Sequence, residues 1–358
     1  MTGREFAPLI ESCGFRRIPR GDEDGVSFDV PRWPNPLAVA IQVKHLEYAL
    51  AEFRPDVIVT SQLALGPLIV AEMNAIPVVV QGIGTYLWER VADDDATEAE
   101  IAQRVWHEQE ALRIYNEART LLGLRERHER RADFPLLGDR YLLRSVPALC
   151  DPATLPERVR LVGGCLWEPP AHDVELDDWL AANAGAEPTA YAQIGRSFGL
   201  PSAWPALRDG LSRLPLRVAA SVGRIDAEIG MIPANFFVRA HVDQASVLPH
   251  ASVVIATGHA TAVLGALEHG LPLLLLPNGS GSPETATACE RAGVAAVLRS
   301  KAPTALEVLQ HFAEVVAEPA YASRARAVAA EFALFGDSLC VAADAAADLA
   351  GTRSCVAV

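Results

Sequence analysis

The clearest run of apolar and polar positions is Val253–Gly293, VVIATGHATAVLGALEHGLPLLLLPNGSGSPETATACERAG. The apolar stretch Val253–Ile255 predicts a buried strand, and the small residues over Ala256–Ala262 predict a turn that opens a helix. Leu273–Leu276 predicts the next buried strand, followed by a Gly/Ser/Pro loop and a helix from near Glu284. A strand that feeds a small-residue turn and a helix N-terminus can bind an anion through backbone N–H groups.

The same rhythm runs through the rest of the second half. Tyr191–Ile194, Val218–Ser221 and Phe236–Val238 read as strands. Ser202–Leu211, Gln244–Leu248, Thr304–Ala317 and Tyr321–Phe335 read as helices. Four or five strands alternating with helices predict a parallel Rossmann-like domain. After Ile194, the turn Gly195–Gly199 carries Arg196 and Ser197. It reads either as a phosphate-binding turn, with Arg196 supplying charge and geometry, or as a plain polar turn.

The first half is less regular. Phe6–Ser12 predicts a short helix ended by Gly14, with Phe15–Ile18 extended. Arg20–Asn35 has no period and reads as a loop, with a substrate lid as one use for it. Pro36–Phe53 is amphipathic, with Val39, Val43, Leu46 and Leu50 on one face. Strands at Asp56–Thr60 and Pro77–Val80 bracket an apolar helix, Leu65–Asn74. Ala96–Leu122 is a long helix, and Tyr141–Ser145 is expected to be the last strand. Two or three strands make an undersized sheet. The loop Gln81–Trp88 follows a strand end, where α/β proteins place ligands. Its Tyr86 and Trp88 either line an apolar substrate or seal the loop onto the core. The five prolines of Pro147–Pro170 mark the boundary, with Arg160–Gly163 as a connecting strand.

Composition narrows the class. The chain has 358 residues, half of them hydrophobic and 21% charged, which suits two folded domains. A net charge of -14 argues against a nucleic-acid partner. The basic cluster Arg125–Arg131 alternates with glutamates and reads as a solvated helix end. The six cysteines are scattered, with no C-x-x-C or zinc-ligand spacing, so free thiols, no metal and a cytoplasmic location are expected. No long apolar run calls for a membrane. No G-x-G-x-x-G follows an early strand, which argues against a nicotinamide dehydrogenase.

With these segments in view, the chain resembles the nucleotide-sugar glycosyltransferases built from two Rossmann domains, in the antibiotic and natural-product group. RPDVIVTSQLALGPLIVAEMNAIPVVV is similar to their acceptor-domain segment, FAPLIESCGFRRIP resembles the piece after their second strand, and LPLLLLPNGSGSPETATACERAG matches their donor-binding end. The resemblance implies a glycosyltransferase B-like α/β fold with two facing Rossmann-like domains. It implies an acceptor-type domain over 1–150, incomplete at its start, a linker over 151–175, a donor-type domain over 176–345 and a flexible tail over 346–358. The implied activity transfers a sugar from a nucleotide-diphosphate sugar to a small hydrophobic or polyketide-like acceptor. No bound cofactor is implied, the nucleotide sugar being a co-substrate.

Residue by residue, the resemblance places donor binding at Arg196, Ser197, His241, Gln244, Gly258, His259, Thr261 and Glu284. It also shows departures. The family's phosphate-binding His falls on Thr257, two of its glycines on His259 and Thr261, and its Thr on Ala262. Its sugar-binding Asp–Gln pair falls on Gly281 and Ser282, and its base-stacking Trp on His241. Its catalytic His belongs to an opening strand–loop–helix unit that this sequence does not carry, and neither His45 nor His107 matches it, so the catalytic residues are unassigned. Glu284 also reads as an ordinary first-turn helix acid. The alternative is a catalytically lapsed homologue that acts as a homodimer, binds a partner glycosyltransferase or holds a small molecule. An epimerase or lyase on the same scaffold is a third class.

Overall fold

The structure is a computed structural model that describes residues 6–19, 35–88, 97–129, 134–169, 173–182, 187–194, 202–223, 229–277 and 282–351. These fold into two compact units. The first comprises Met1–Arg144, Ala153–Leu161 and Cys340–Val358, and the second Ser145–Pro152 and Val162–Leu339.

In the first unit α1 (Ala7–Ser12) and α2 (Pro36–Glu52) precede β1 (Ile58–Ser61), α3 (Gly66–Asn74) and β2 (Val78–Gly82). Then come α4 (Glu98–Leu121), β3 (Arg140–Leu143) and β4 (Val159–Leu161). The sheet is parallel throughout, in the order β1-β2-β3-β4. Sequence reasoning is corrected once here: β3 is not the last strand, because Val159–Leu161 pairs with it. Leu46 and Leu50 of α2 are only half-buried, whereas Val39 and Val43 are sealed.

One buried charge joins α3 to α4. Arg119 lies beneath the surface and donates twice to the Glu72 carboxylate, at 2.8 and 2.9 Å. Arg127 adds a third bond to Glu72 at 3.0 Å. Stranding a buried arginine would cost several kcal/mol, so this pairing fixes the helix contact. The basic cluster is therefore no helix end. Residues Arg125–Glu129 leave α4 and fold back on it, with Arg119 Nε donating to the Arg125 carbonyl and Asn116 clasping Arg127 from both sides.

The second unit holds α5 (Val174–Ala181), β5 (Thr189–Gln193), α6 (Trp204–Leu211), β6 (Arg217–Ser221) and β7 (Phe236–Arg239). It continues with α7 (Gln244–Val247), β8 (Val253–Ala256), α8 (Ala260–Glu268), β9 (Leu273–Leu275), α9 (Ser282–Arg291) and β10 (Ala295–Val297). Helices α10 (Ala305–Ala317) and α11 (Pro319–Ala333) follow, and α12 (Ser338–Leu349) belongs, from Cys340 on, to the first unit. Six parallel strands lie in the order β10-β9-β8-β5-β6-β7. Neither β10 nor α12 was legible in the sequence. Alanine-rich α12 runs into the stretch read as tail, and Arg140 of β3 donates to its Ala345 carbonyl at 3.2 Å.

One face of the second sheet packs on α6 and α10 through Trp204, Leu207, Leu211, Val308 and Phe312. The two helices come close because Gly210 has no side chain; a Cβ there would stand 2.8 Å from the Ala305 carbonyl oxygen. Substituting Gly210→Ala must push the helices apart. The gain in helix propensity is about 1 kcal/mol, and overpacking against backbone costs about 1–3 kcal/mol. Chemical denaturation should show a net loss of stability.

Candidate functional site

The strand order of the second unit reverses between β5 and β8. From β5 the chain moves through α6 to β6, and from β8 through α8 to β9, away from it on the other side. Crossovers of one hand then place α6 and α8 on opposite faces and open a crevice between the two strand ends. Gln193 and Ala256 are register partners at that point. The residues just beyond them form the candidate site.

The turn after β8 is only Thr257–His259, shorter than the seven residues expected, because α8 begins at Ala260. Gly258 has φ +89°, a left-handed conformation that a side chain would strain. His259 is the N-cap residue with extended backbone, and its side chain makes no cap bond. The first-turn N–H groups of α8 have no partner within the helix. Beside them Thr257 is only 3% exposed and its Oγ1 is unpartnered. Thr261 lies in the first turn with its residue exposed.

Gln244 reaches the same helix from α7. It is 4% exposed, and its Nε2 donates to the Thr261 carbonyl at 3.1 Å, while its Oε1 has no partner. This placement depends on Gly265, where a Cβ would stand 2.2 Å from Gln244 Nε2. A glycine within an apolar helix pattern is the one sequence signal that pointed to such a close approach. The Thr257 hydroxyl, which can donate or accept, and the Gln244 amide oxygen, which accepts, are two buried polar atoms without a protein partner at one helix head, and such atoms call for an explanation.

His259 keeps an open surface, yet enough protein surrounds its ring that burial holds the imidazole pKa below its ordinary value. Glu284 lies in the first turn of α9 and is half-buried. The structure thus gathers Gln244, Gly258, His259 and Thr261 around one helix head and sets Glu284 on the next βα unit. His241, exposed between β7 and α7, stands by another cluster instead. Arg196, Ser197 and Gly281 lie outside the described residues.

That other cluster had no sequence signal. Asp243 caps α7, accepting from Ser246 N at 2.9 Å and Ser246 Oγ at 2.5 Å. Glu168 reaches the same turn and accepts from Ala245 N at 3.0 Å. The two carboxyls lie against each other, with His241 near. Burial first, and then Asp243, push the Glu168 pKa up. Burial and the same two acids also push the phenol of Tyr191 up.

In the first unit the loop after β2 turns inward. Tyr86 and Trp88 are both buried, Trp88 edge-on to Tyr141 at 5.7 Å and Tyr86 against His107 at 5.3 Å. They seal the loop onto the core. Gln62 Oε1 locks that loop by accepting from Ile83 N, Gly84 N and Tyr141 Oη at 2.9, 2.8 and 2.6 Å. Among the described residues no disulfide joins Cys13, Cys150, Cys165, Cys289 or Cys340, and Cys355 lies outside them. Among the described residues no cluster has the makings of a metal site, and no helix is long and apolar enough to cross a membrane.

The acid pair makes a stability prediction. A carboxyl whose folded pKa is raised binds its proton more tightly folded than unfolded, so its contribution is full below the unfolded value and is lost as pH rises through the folded one. Glu168→Gln keeps an acceptor for Ala245 N and removes that loss. Thermal unfolding should show the variant gaining on the wild type as pH rises from about 4.5. A constant offset across pH would refute the assignment.

No family model matches the chain. It is 29% identical over 196 residues to a PGL/p-HBAD biosynthesis glycosyltransferase of Mycobacterium tuberculosis (strain ATCC 25177 / H37Ra), a match that takes in 54% of this chain and 44% of that protein. The chain thus spans less than half the length of the curated relatives it matches. Its fold matches the kitacinnamycin glycotransferase with a TM-score of 0.69 and 20% identity, covering 97% of this chain and 90% of that one. It also matches the spinosyn rhamnosyltransferase. The structure of that enzyme complexed with thymidine diphosphate gives a TM-score of 0.66 at 16% identity, over 95% of this chain and 90% of that one. Its structure with spinosyn aglycone gives a TM-score of 0.65 at 18% identity, over 95% and 89%. By strand order, fold and relatives, the chain resembles the glycosyltransferases of natural-product biosynthesis and has their glycosyltransferase-B fold.

Proposed function

We propose that the chain is a glycosyltransferase that moves a sugar from a nucleoside-diphosphate sugar to a small, hydrophobic natural-product acceptor. The observation that carries this reading is the head of α8. A left-handed glycine, free helix N–H groups and the buried, unpartnered Thr257 Oγ1 and Gln244 Oε1 meet at the switch point of a parallel sheet. The thymidine diphosphate of the spinosyn enzyme supports a diphosphate as the ligand, and its aglycone supports the acceptor class.

In this reading the α8 N–H groups face the diphosphate and stabilise it as it departs from the anomeric carbon. Thr257 Oγ1 can donate to a phosphate oxygen, and Gln244 Oε1 can accept from a hydroxyl of the nucleoside. Arg196 and Ser197, which come shortly after β5 in the sequence, would add a cation and a hydroxyl. Glu284, at the head of α9, would accept from a sugar or ribose hydroxyl. No base is assigned to the acceptor hydroxyl.

Calorimetric titration with thymidine and uridine diphosphates should give binding between about 1 μM and 1 mM. Absence of heat at millimolar nucleotide would sink the proposal. Thr257→Val separates stability from binding. Replacing an orphan buried hydroxyl by a methyl leaves the free protein as stable or more stable, by about 1 kcal/mol, and weakens the nucleotide by about 5–10-fold. A variant that loses stability with unaltered affinity would show that Thr257 serves only the fold.

A further inference from the structure

Between Thr257 and Thr261 the head of α8 carries one ionisable side chain, His259. It does not cap the helix. It extends from the residue where the chain leaves the left-handed Gly258, next to the orphan Thr257 Oγ1. We propose that binding of a nucleoside diphosphate at the head of α8 takes up one proton, on the imidazole of His259, so that α8's own side of the site gains a cation only when the ligand is bound. The proposal rests on the donor-site reading above.

Two effects keep the free imidazole neutral. Burial lowers its pKa, and burial is the only cause acting on it. The N-terminal end of α8 is the positive end of the helix dipole and opposes a second positive charge. The charged groups on the surrounding elements lie elsewhere. Asp243 and Glu168 face each other at α7 with His241 beside them, and Glu284 opens α9. Arg326 of α11 meets α8 at its far end, against Gly270, where Glu268 and His269 also lie. Among the described residues, burial rather than a carboxylate sets the direction of the His259 pKa.

A diphosphate inverts this balance. An anion close to an imidazole favours its charged form and so raises the pKa that burial lowers. The proton comes from solvent to a ring nitrogen, and no covalent bond changes. A neutral imidazole offers one N–H, whereas the imidazolium offers two, and the charged donor bonds more strongly. The turn thus has no fixed charge of its own but acquires one when the ligand arrives.

The test is titration of thymidine diphosphate at about pH 7.5 in two buffers of different ionisation enthalpy. The wild type should show heats that differ between buffers by roughly half to one proton taken up per site. Its affinity should fall by about tenfold between pH 6.5 and pH 8.5. His259→Gln should bind with less buffer dependence and a flatter pH profile, the diphosphate's own last proton contributing equally to both proteins. His259→Lys, a permanent cation, should bind without uptake and hold its affinity at pH 8.5. Wild-type binding with buffer-independent heat, or uptake that persists undiminished in His259→Gln, would overturn the proposal and leave the donor site standing. Absence of wild-type binding in every buffer would instead overturn the donor-site reading itself.

Discussion

Everything proposed for this chain depends on one constraint, the reversal of strand order between β5 and β8. Parallel strands joined by crossovers of a single hand must send successive helices to one face while the order runs one way, and to the other face when it reverses. Two adjacent strand ends then lead to helices that diverge. The crevice between them follows from connectivity and needs no special side chain. The four-stranded sheet of the first unit runs β1-β2-β3-β4 without such a reversal among its described strands, so the described part of that unit offers no crevice of this kind.

Connectivity places the crevice, and a few small residues shape it. Gly258 turns the chain so that α8 starts three residues after β8. Gly265, a turn and a half into the helix, leaves the space in which the Gln244 amide lies against the Thr261 carbonyl. Polar atoms are then stranded below the surface. Such atoms cost free energy in the unliganded fold, and a fold retains them where a ligand supplies the missing partners. The head of α8 itself carries no fixed charge, only what His259 can acquire. This is a different solution from a fixed basic pocket.

The hydrophobic pattern made much of this legible. Apolar runs of four or five residues between turn residues located β1, β2, β5, β6, β7, β8 and β9 to within a residue or two, because fully buried parallel strands are continuously apolar. It also located Gly258 and His259 at a helix head. It placed β4 within two residues as a connecting strand, without its pairing. The elements it missed had weak local signals: β10 is three residues long, and α12 is rich in alanine with no strong apolar stripe. The basic stretch after α4 looked like a solvated helix end because local charge alternation cannot register Glu72, which stands far away in the chain.

The sequence by itself determined the class of fold, the position of the turn that opens α8 and the resemblance to natural-product glycosyltransferases. These follow from local periodicity, from glycine's freedom at positive φ and from contiguous motifs. Only the tertiary structure decided which atoms are left without partners. Burial of Thr257 and Gln244, the inward turn of Tyr86 and Trp88, and the carboxyl pair Glu168–Asp243 all join residues far apart in the chain. Hydrogen-bond satisfaction and desolvation are properties of surroundings, and those surroundings exist only once the strands are in register.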